Sequence, residues 1–222
     1  SFHEHSGESA SIALAERITQ GERIALISDA GTPLVSDPGY QLVRAVHGLN
    51  MPVVPLPGPC AAITALSAAG LPTHSFQFVG FLPSKQNARR ARLDALKSSE
   101  STTILYEAPH RVLDLLDDIE DVLGVLREVC IARELTKTFE TIRRDTVAII
   151  RDWVKGDANQ QRGEFVVMIA PDTQKGGGVS DEAFNLLRAL SDVLPPRKAA
   201  QIVADHYGLK SRDLYQMLIT PE

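Results

Sequence analysis

The sequence predicts an α/β protein built from two α/β units and a short, helix-turn-helix-like C-terminal tail. Short apolar runs typical of buried strands alternate with helically spaced segments up to about residue 171. Glycine-containing turns directly follow the first two of these runs, and only helical patterns follow residue 181. A hydrophobic fraction of 44% in 222 residues is enough to bury a core of that size.

The first unit is predicted to alternate helices and strands. Residues 8–22, 38–50 and 59–70 have helical spacing, and the last of these segments is rich in small residues. "RIALISDA" (23–30) and "MPVVPLPG" (51–58) are continuous apolar runs that we interpret as buried strands. Such alternation is typical of a parallel sheet with right-handed crossovers.

The second unit begins after "GLPTHS" (70–75), where Gly, Pro and polar residues predict a linker. "FQFVGFLP" and "TTILYEAP" predict strands, and "KQNARRARLDALKSS" and "HRVLDLLDDIEDVLG" predict amphipathic helices. "REVCIARELT", "TFETIR", "TVAIIRDWV" and "EFVVMIA" supply further strands and one helix. The expected organisation is two domains at 1–74 and 75–172, a linker at 173–180 and a helical domain at 181–222.

Composition restricts the class of protein. The net charge of −5 argues against a protein coated in positive charge for bulk nucleic-acid binding, although a local basic surface stays open. Cys60 and Cys130 are too few for a disulfide framework, which predicts a reducing, cytoplasmic compartment. No apolar run approaches the roughly 20 residues of a membrane-spanning helix.

The histidines of "HEH" (3–5) suggest a metal site at first sight. Residues at i and i+2 share a side only in a strand, and no third ligand is evident in the sequence. We therefore predict no metal site and place this segment in a surface loop.

"ISDAGTPLVSDPGY" (27–40) is the most informative stretch of the chain. Gly31 and Gly39 allow a ligand to approach the backbone closely at the end of a strand, where open α/β sheets bind ligands. The stretch has no lysine, and Asp29 and Asp37 would repel phosphate, so a cationic or hydroxyl-rich ligand suits it better than a nucleoside triphosphate. The alternative is that both aspartates cap turns or helices.

"PLPGPCAAIT" repeats this arrangement of strand, glycine turn and small-residue helix. Ala61, Ala62 and Ala65 would let that helix lie close to a flat ligand, or would simply pack tightly. Cys60 has no histidine partner in its motif, and we interpret it as a packing residue.

Six motifs occur in the order seen in one superfamily: "SDAGTPLVSDPG", "PLPGPCAAITALSAAGLP", "GFLP", "YEAPHR", "ARELTKTFE" and "RGEFVVMI". The sequence thereby resembles the tetrapyrrole-methylase-like superfamily of S-adenosylmethionine-dependent methyltransferases. It is most similar to the bacterial branch that methylates the ribose 2′-hydroxyl of a cytidine in 16S ribosomal RNA. The resemblance covers residues 1–171 and extends to the helical tail, and "YEAPHR" and "ARELTKTFE" separate this branch from the porphyrin-modifying enzymes.

The resemblance implies two α/β domains with S-adenosylmethionine bound in the cleft between them, in a homodimer. The expected donor contacts are Ser28, Asp29, Ala30, Gly31, Thr32, Pro59, Cys60, Ala61, Tyr106, Glu107, Ala132, Arg133, Gly163 and Glu164. Members normally begin with a further strand and a "PTPIGN"-like glycine loop before the "HEH" region. Those residues do not precede it here, so we expect less than full activity from the chain as it stands.

The reaction needs alignment of donor and acceptor, and a base would assist because a ribose hydroxyl is weakly acidic. The motifs place Glu107, Lys137 and Glu140 near the cleft as catalytic candidates, together with Glu134. Arg111 and Arg133 are candidates for holding phosphate or stabilising an alkoxide. Each of these residues is about as well explained by a surface or interdomain ion pair.

RNA binding should appear as local positive charge. Residues 84–97 form a basic helix, and the second helix of the helix-turn-helix-like tail would begin near Lys210 and Arg212. A solvated helix face, or tail packing on a dimer, would explain the same residues. The expected RNA contacts are Lys85, Arg89, Arg90, Arg92, Arg111, Lys210 and Arg212.

The sequence therefore predicts an S-adenosylmethionine-dependent methyltransferase acting on 16S ribosomal RNA of the small subunit. Two alternatives stay open: a methylase of tetrapyrroles or other small molecules, and a non-catalytic RNA-binding module.

Overall fold

A computed structural model describes residues 7–172 and 181–219 of the chain. The "HEH" segment and the predicted linker at 173–180 lie outside these residues. The three helices predicted in the first unit are present, as α1 (Gly7–Thr19), α2 (Tyr40–Gly48) and α3 (Ala61–Ala68). α1 packs on α2 through Ala15, Leu42 and Val46, which are all buried.

The two strands predicted in this unit are not formed. Residues 22–28 and 51–60 carry no regular secondary structure. A strand requires a neighbour that pairs with its backbone N–H and C=O groups, and in the described residues neither segment has such a neighbour. Their apolar side chains are accordingly exposed where burial was predicted: Ile27 is 87% exposed and Leu56 81%.

The second unit contains a five-stranded mixed sheet in the order β1-β2-β5-β3-β4. β1 and β2 pair in parallel, and the other pairs are antiparallel. All strands were predicted, and "TVAIIRDWV" supplies the predicted helix. The strands are β1 (Phe76–Phe81), β2 (Thr102–Glu107), β3 (Glu128–Arg133), β4 (Thr141–Thr146) and β5 (Phe165–Ile169).

Both faces of this sheet are covered, because successive strand residues point to opposite sides. On one side, Leu105 and Val167 pack against three helices: α4 (Gln86–Asp94), α5 (Val112–Leu123) and α6 (Val147–Gly156). On the other side, Ile104 and Met168 pack against α3 of the first unit through small residues such as Ala65. Short 3-10 turns at Pro109–Arg111 and Ala158–Gln161 complete the unit.

The tail forms the predicted short helices around an apolar cluster of its own, which includes Leu187, Val203 and Leu214. The helices are α7 (Asp181–Ser191), α8 (Pro196–Tyr207) and α9 (Ser211–Ile219). Gly208 ends α8 in the left-handed conformation, as the predicted turn requires. The α/β class with a helix-turn-helix-like tail is confirmed, whereas the predicted domain boundaries stay predictions.

Candidate functional site

A cavity of about 420 Å³ lies between the 30–37 loop, the start of α3 and the sheet face that α3 covers. Its volume is within the range of small-molecule sites. Most of the residues predicted to touch a methyl donor line it: Ala30, Gly31, Thr32, Cys60, Ala61, Tyr106, Glu107, Ala132 and Glu164.

Hydrogen bonds join the elements that surround the cavity. The Thr32 hydroxyl donates to the Pro59 carbonyl at 2.8 Å, so the two glycine loops predicted from the sequence are in contact. The Ala62 N–H at the start of α3 donates to the Tyr106 hydroxyl on β2 at 3.1 Å. Segments that are distant in the chain therefore hold one another in place around a single cavity.

Several residues between positions 31 and 39 have a positive backbone φ. Gly39 has φ +133°, and a Cβ there would lie 2.8 Å from side-chain atoms of both Leu26 and Leu34. Leu34 (φ 72°) and Ser36 (φ 60°) adopt the left-handed conformation without being glycine. Such outliers persist only where the surroundings hold them, and they cluster at functional sites.

Five of the predicted donor residues do not line the cavity. Asp29 is exposed. The Ser28 hydroxyl has one proton, which it donates to the Asp37 carboxylate, and its oxygen lies 2.7 Å from the Ala30 carbonyl oxygen. The other three are Pro59, Arg133 and Gly163. The Pro59 carbonyl accepts the Thr32 hydroxyl, and Arg133 and Gly163 contact the 134–140 loop.

Asp37 and Phe81 line the cavity although neither was among the predicted contacts. The second "SD" pair in the loop motif was the available signal for Asp37, and its hydrogen bond with Ser28 brings it inward. Phe81 belongs to "GFLP", which the resemblance quoted without assigning it a role. The remaining unpredicted lining residues are Val35, Ser36, Ala108, Pro109, Leu135, Phe165 and Val166.

The charged residues in the lining of the cavity are all acidic, and two of them have a cation beside them: Arg111 lies 3.2 Å from Glu107, and Lys137 lies 2.9 Å from Glu164. Asp37, Glu107 and Glu164 line it, and the described residues that line it include no Lys, Arg or His. Carboxylates in a partly enclosed site attract cations and repel phosphate. The lining therefore suits a cationic or hydroxyl-rich ligand better than a nucleoside triphosphate, which is also what the loop sequence favours.

Glu107, at the end of β2, is 2% exposed. Its Oε1 accepts the Ala108 N–H at 2.8 Å and lies 3.2 Å from Nε of Arg111. Its Oε2 is buried without a hydrogen-bond partner among the described residues. Burial raises the pKa of this carboxyl, opposed by the Ala108 N–H and the Arg111 charge. Glu107 is paired with Phe165, which packs on the side of the sheet that α4, α5 and α6 cover, so the Glu107 carboxyl points to that side.

The other two catalytic candidates do not line the cavity. The Lys137 ammonium bridges Glu164 at 2.9 Å and Glu134 at 3.0 Å, and these hydrogen bonds raise its pKa. Glu140 accepts the Thr136 N–H at 2.7 Å. Lys137 therefore joins the 134–140 loop to Glu164 of the cavity lining, and Glu140 stabilises the turn within the loop.

Arg133 and Gly163 support the same loop. The buried Arg133 guanidinium donates to the carbonyls of Arg162 at 3.2 Å and Phe139 at 3.1 Å. Gly163 has φ +90°, and a Cβ there would lie 2.5 Å from the Glu134 side chain. Neither residue lines the cavity, and their roles as donor contacts stay predictions.

The helix predicted to bind RNA, α4, has less free positive charge than its sequence suggests, because two of its arginines are paired with aspartates. Arg89 is 3% exposed, and its Nε lies 2.6 Å from Oδ2 of the fully buried Asp118. Arg90 pairs with the same aspartate at 2.6 Å and with Asp121 at 2.5 Å. Arg89 cannot reach a phosphate in this arrangement, which corrects its prediction as an RNA contact.

Fewer of the predicted RNA-contacting cations are exposed on α4 than its sequence suggests. Lys85 and Arg92 are exposed on α4 and at its start. Arg111 instead donates to the Leu82 carbonyl at 2.8 Å and approaches Glu107, which makes it a brace between β1 and β2. In the tail, Lys210 and Arg212 are exposed at the beginning of α9.

No helix in the described ranges has both the length and the apolar composition needed to cross a bilayer. Among the same residues, no three His, Cys, Asp or Glu side chains are grouped as metal ligands would be.

Comparisons with known proteins match this architecture. The family model "Tetrapyrrole (Corrin/Porphyrin) Methylases" matches residues 1–150, and the model "RsmI C-terminal HTH domain" matches residues 178–221. Among solved structures, the methyltransferase CobJ has a TM-score of 0.54 at 18% identity over 75% of this chain and 72% of its own. A uroporphyrin-III-C-methyltransferase from Thermus thermophilus has a TM-score of 0.51 at 20% identity over 73% of this chain and 70% of its own. These two likenesses concern the fold alone.

Curated relatives are much more similar. "Ribosomal RNA small subunit methyltransferase I" of Pseudomonas aeruginosa is 49% identical over 98% of this chain and 78% of its own length. The protein of the same name from Haemophilus influenzae is 45% identical over 97% of this chain and 77% of its own. The chain therefore belongs to the tetrapyrrole methylases and, within them, to the ribosomal RNA small subunit methyltransferase I family.

Proposed function

We propose that the protein transfers a methyl group from S-adenosylmethionine to the ribose 2′-hydroxyl of a cytidine in 16S ribosomal RNA. The names of the 45–49% identical relatives support ribosomal RNA of the small subunit as the substrate. The observation that carries the proposal is the cavity with three carboxylates and no cation among its described lining residues. A homodimer in the cytoplasm is part of the same proposal.

The residues present fit the methyl donor in size and charge. Ala30, Gly31, Ala61 and Ala132 leave room for a flat adenine ring. The donor has a sulfonium and an ammonium group, and Asp37 and Glu164 are the carboxylates suited to hold them. When bound, S-adenosylmethionine supplies an electrophilic methyl group for an in-line displacement.

Glu107 is the proposed proton acceptor. Glu107 is among the residues that line the cavity, its Oε2 has no partner among the described residues, and burial raises the pKa of its carboxyl. Arg111 and the Ala108 N–H contact Oε1, and the side chain has to turn toward the cavity for Oε2 to reach a ribose hydroxyl. Lys137 and Glu140, also predicted as catalytic, are assigned the positioning of the 134–140 loop.

Methyl transfer from radiolabelled S-adenosylmethionine tests this function. The substrates are small ribosomal subunits and 16S RNA from a strain that lacks the gene, with uroporphyrinogen III as the competing acceptor. We expect label in a ribose that becomes resistant to alkaline hydrolysis, and about a 100-fold lower kcat for Glu107→Gln. Label in the tetrapyrrole alone, or donor binding with no transfer to either form of the RNA, would contradict the proposal.

A further inference from the structure

The outer strand of the sheet exposes three phenylalanines. β1 is at the edge of the sheet, and Phe76, Phe78 and Phe81 are 43%, 37% and 55% exposed. The cavity is lined by Phe81 but by neither of the other two. A set of exposed aromatic rings beside a ligand site calls for a functional explanation.

A bulge brings Phe78 and Phe81 to the same face. Side chains three residues apart point to opposite sides of a regular strand. Here Phe78 pairs with Ile104 and Gly80 pairs with Leu105, so Val79 is an extra residue in β1. Bulges next to active sites re-aim side chains in this way. Gly80, with φ +72°, supplies the backbone conformation that an L side chain rarely adopts.

Both rings contact Tyr106 on β2. The ring centroids of Phe78 and Phe81 lie 4.9 and 5.8 Å from that of Tyr106, at interplanar angles of 67° and 66°. The Tyr106 hydroxyl is itself held by the Ala62 N–H. These edge-on contacts fix a three-ring cluster of which Phe81 is the most exposed member.

The segment after the cluster is also held in place. The Arg111 guanidinium donates to the carbonyls of Leu82 at 2.8 Å and Pro83 at 3.3 Å. Phe81 is therefore exposed on a supported backbone, which lowers the entropic cost of binding a ligand there.

We propose that Phe81, supported by Phe78 and Tyr106, forms a stacking surface for the base of the nucleotide that is methylated. This inference rests on the proposed function. The base is attached to C1′, the neighbour of C2′, so a ribose presented to the cavity brings its base to the cavity rim. Proteins hold unstacked RNA bases on aromatic rings in the same way.

The distribution of charge agrees with a base bound at Phe81 and phosphates bound outside the cavity. The described residues lining the cavity include no cation, so phosphate has to be held outside it. The exposed Lys85 and Arg92 follow Phe81 along the chain, on α4 and at its start. The base would thus contact apolar ring surface while the adjoining phosphates contact the helix.

The test compares Phe81→Ala, Phe81→Leu and Phe81→Tyr with Phe76→Ala, an exposed phenylalanine of the same strand outside the cavity lining. The assay measures kcat/KM for methylation of small ribosomal subunits, the Kd of S-adenosylmethionine by calorimetry, and folding by circular dichroism. We expect Phe81→Ala and Phe81→Leu to lower kcat/KM about 10- to 100-fold, since stacking on one ring contributes about that factor. Phe81→Tyr and Phe76→Ala should stay within about twofold of the parent. Because Phe81 also lines the cavity, Phe81→Ala and Phe81→Leu should weaken donor binding by clearly less than they lower kcat/KM.

Three results would overturn the stacking surface while leaving the methyltransferase intact. They are a loss for Phe81→Ala no larger than for Phe76→Ala, full activity of Phe81→Leu, and an equal weakening of donor binding, which would make Phe81 part of the donor pocket. If the unaltered protein methylates no RNA, the proposed function fails and this inference fails with it.

Discussion

The Thr32 hydroxyl donates a hydrogen bond to the Pro59 carbonyl across 2.8 Å, joining two loops that are 27 residues apart in the chain. Each loop contributes small residues to the cavity wall, among them Gly31 and Ala61. The relative position of the two walls therefore depends on one side-chain hydrogen bond, and this leads to the first prediction.

Thr32→Val should weaken binding of S-adenosylmethionine about threefold to tenfold, because a hydrogen bond of this kind contributes about 1 kcal/mol. Valine keeps the shape of threonine and removes only the hydroxyl. Calorimetric titration gives the Kd, and Thr32→Ser, which keeps the hydroxyl, is the matched control. Equal affinities for the valine and serine variants would show that the bond does not position the donor site.

We predict that the buried carboxyl of Glu107 stabilises the folded protein more at low pH than at high pH. Burial raises the pKa of its carboxyl in the folded protein, so the folded state binds this proton more tightly than the unfolded state. The linked stability is fully present below the unfolded pKa, near 4.3, and is lost as pH rises through the folded pKa. The free energy of unfolding of the parent minus that of Glu107→Gln should therefore decrease as the pH rises above about 4.

Urea unfolding at several pH values measures this difference. Glu100→Gln, at an exposed position, is the control for removing a carboxylate as such. A difference that increases with pH would mean that Arg111 outweighs burial, and that the Glu107 pKa is lowered instead.

Substitution of Arg89 should destabilise the protein far more than substitution of Arg92, although both residues lie on one helix. Arg89→Ala removes a buried partner of Asp118 and should lower the free energy of unfolding by about 3 kcal/mol. Arg92 is exposed, so Arg92→Ala should change it by less than about 0.5 kcal/mol. Chemical denaturation of the two variants gives both values, and similar losses would place Arg89 at the surface.

The same helix predicts the salt dependence of RNA binding. Replacing both Lys85 and Arg92 by alanine should reduce the slope of log K against log salt concentration by about two, because each phosphate contact contributes about one. Filter binding of 16S RNA at several salt concentrations measures the slope. Arg89→Ala, assayed where it is folded, is the control and should leave the slope unchanged.

Gly163 tests the support of the 134–140 loop. Gly163→Ala would place a Cβ 2.5 Å from the Glu134 side chain, which accepts the Glu164 N–H and the Lys137 ammonium. We expect a loss of about 2–3 kcal/mol in the free energy of unfolding and weaker donor binding. Gly124 also has positive φ but has open space around its Cβ position, so Gly124→Ala isolates the backbone cost. Equal losses at both positions would remove the steric role of Glu134.

Local patterns in the sequence predicted most elements correctly because those elements depend on local spacing. The β-branched, apolar run of β2 and the apolar periodicity of α5 are complete within their own segments. The same patterns predicted strands at 23–30 and 51–58, where no ladder forms, because a strand depends on a neighbour as well as on its own residues.

The site was predicted in outline because its loops, like the helices, are encoded by local sequence. The two loops and their carboxylates can be identified from short motifs. The burial of Arg89 cannot, because it depends on Asp118, 29 residues away in the chain. Phe81 was missed because its orientation depends on the bulge at Val79, for which the isolated glycine in "FVGF" was the one local signal.

The most direct test of the central claim is a crystal structure of the protein with S-adenosylhomocysteine, the product of the methyl donor. The account predicts the ligand in the cavity between the 30–37 loop and the end of β2, with Asp37, Glu107 or Glu164 contacting its amino group. Density for the ligand at any other place, or a protein that does not bind it in solution, would contradict the account.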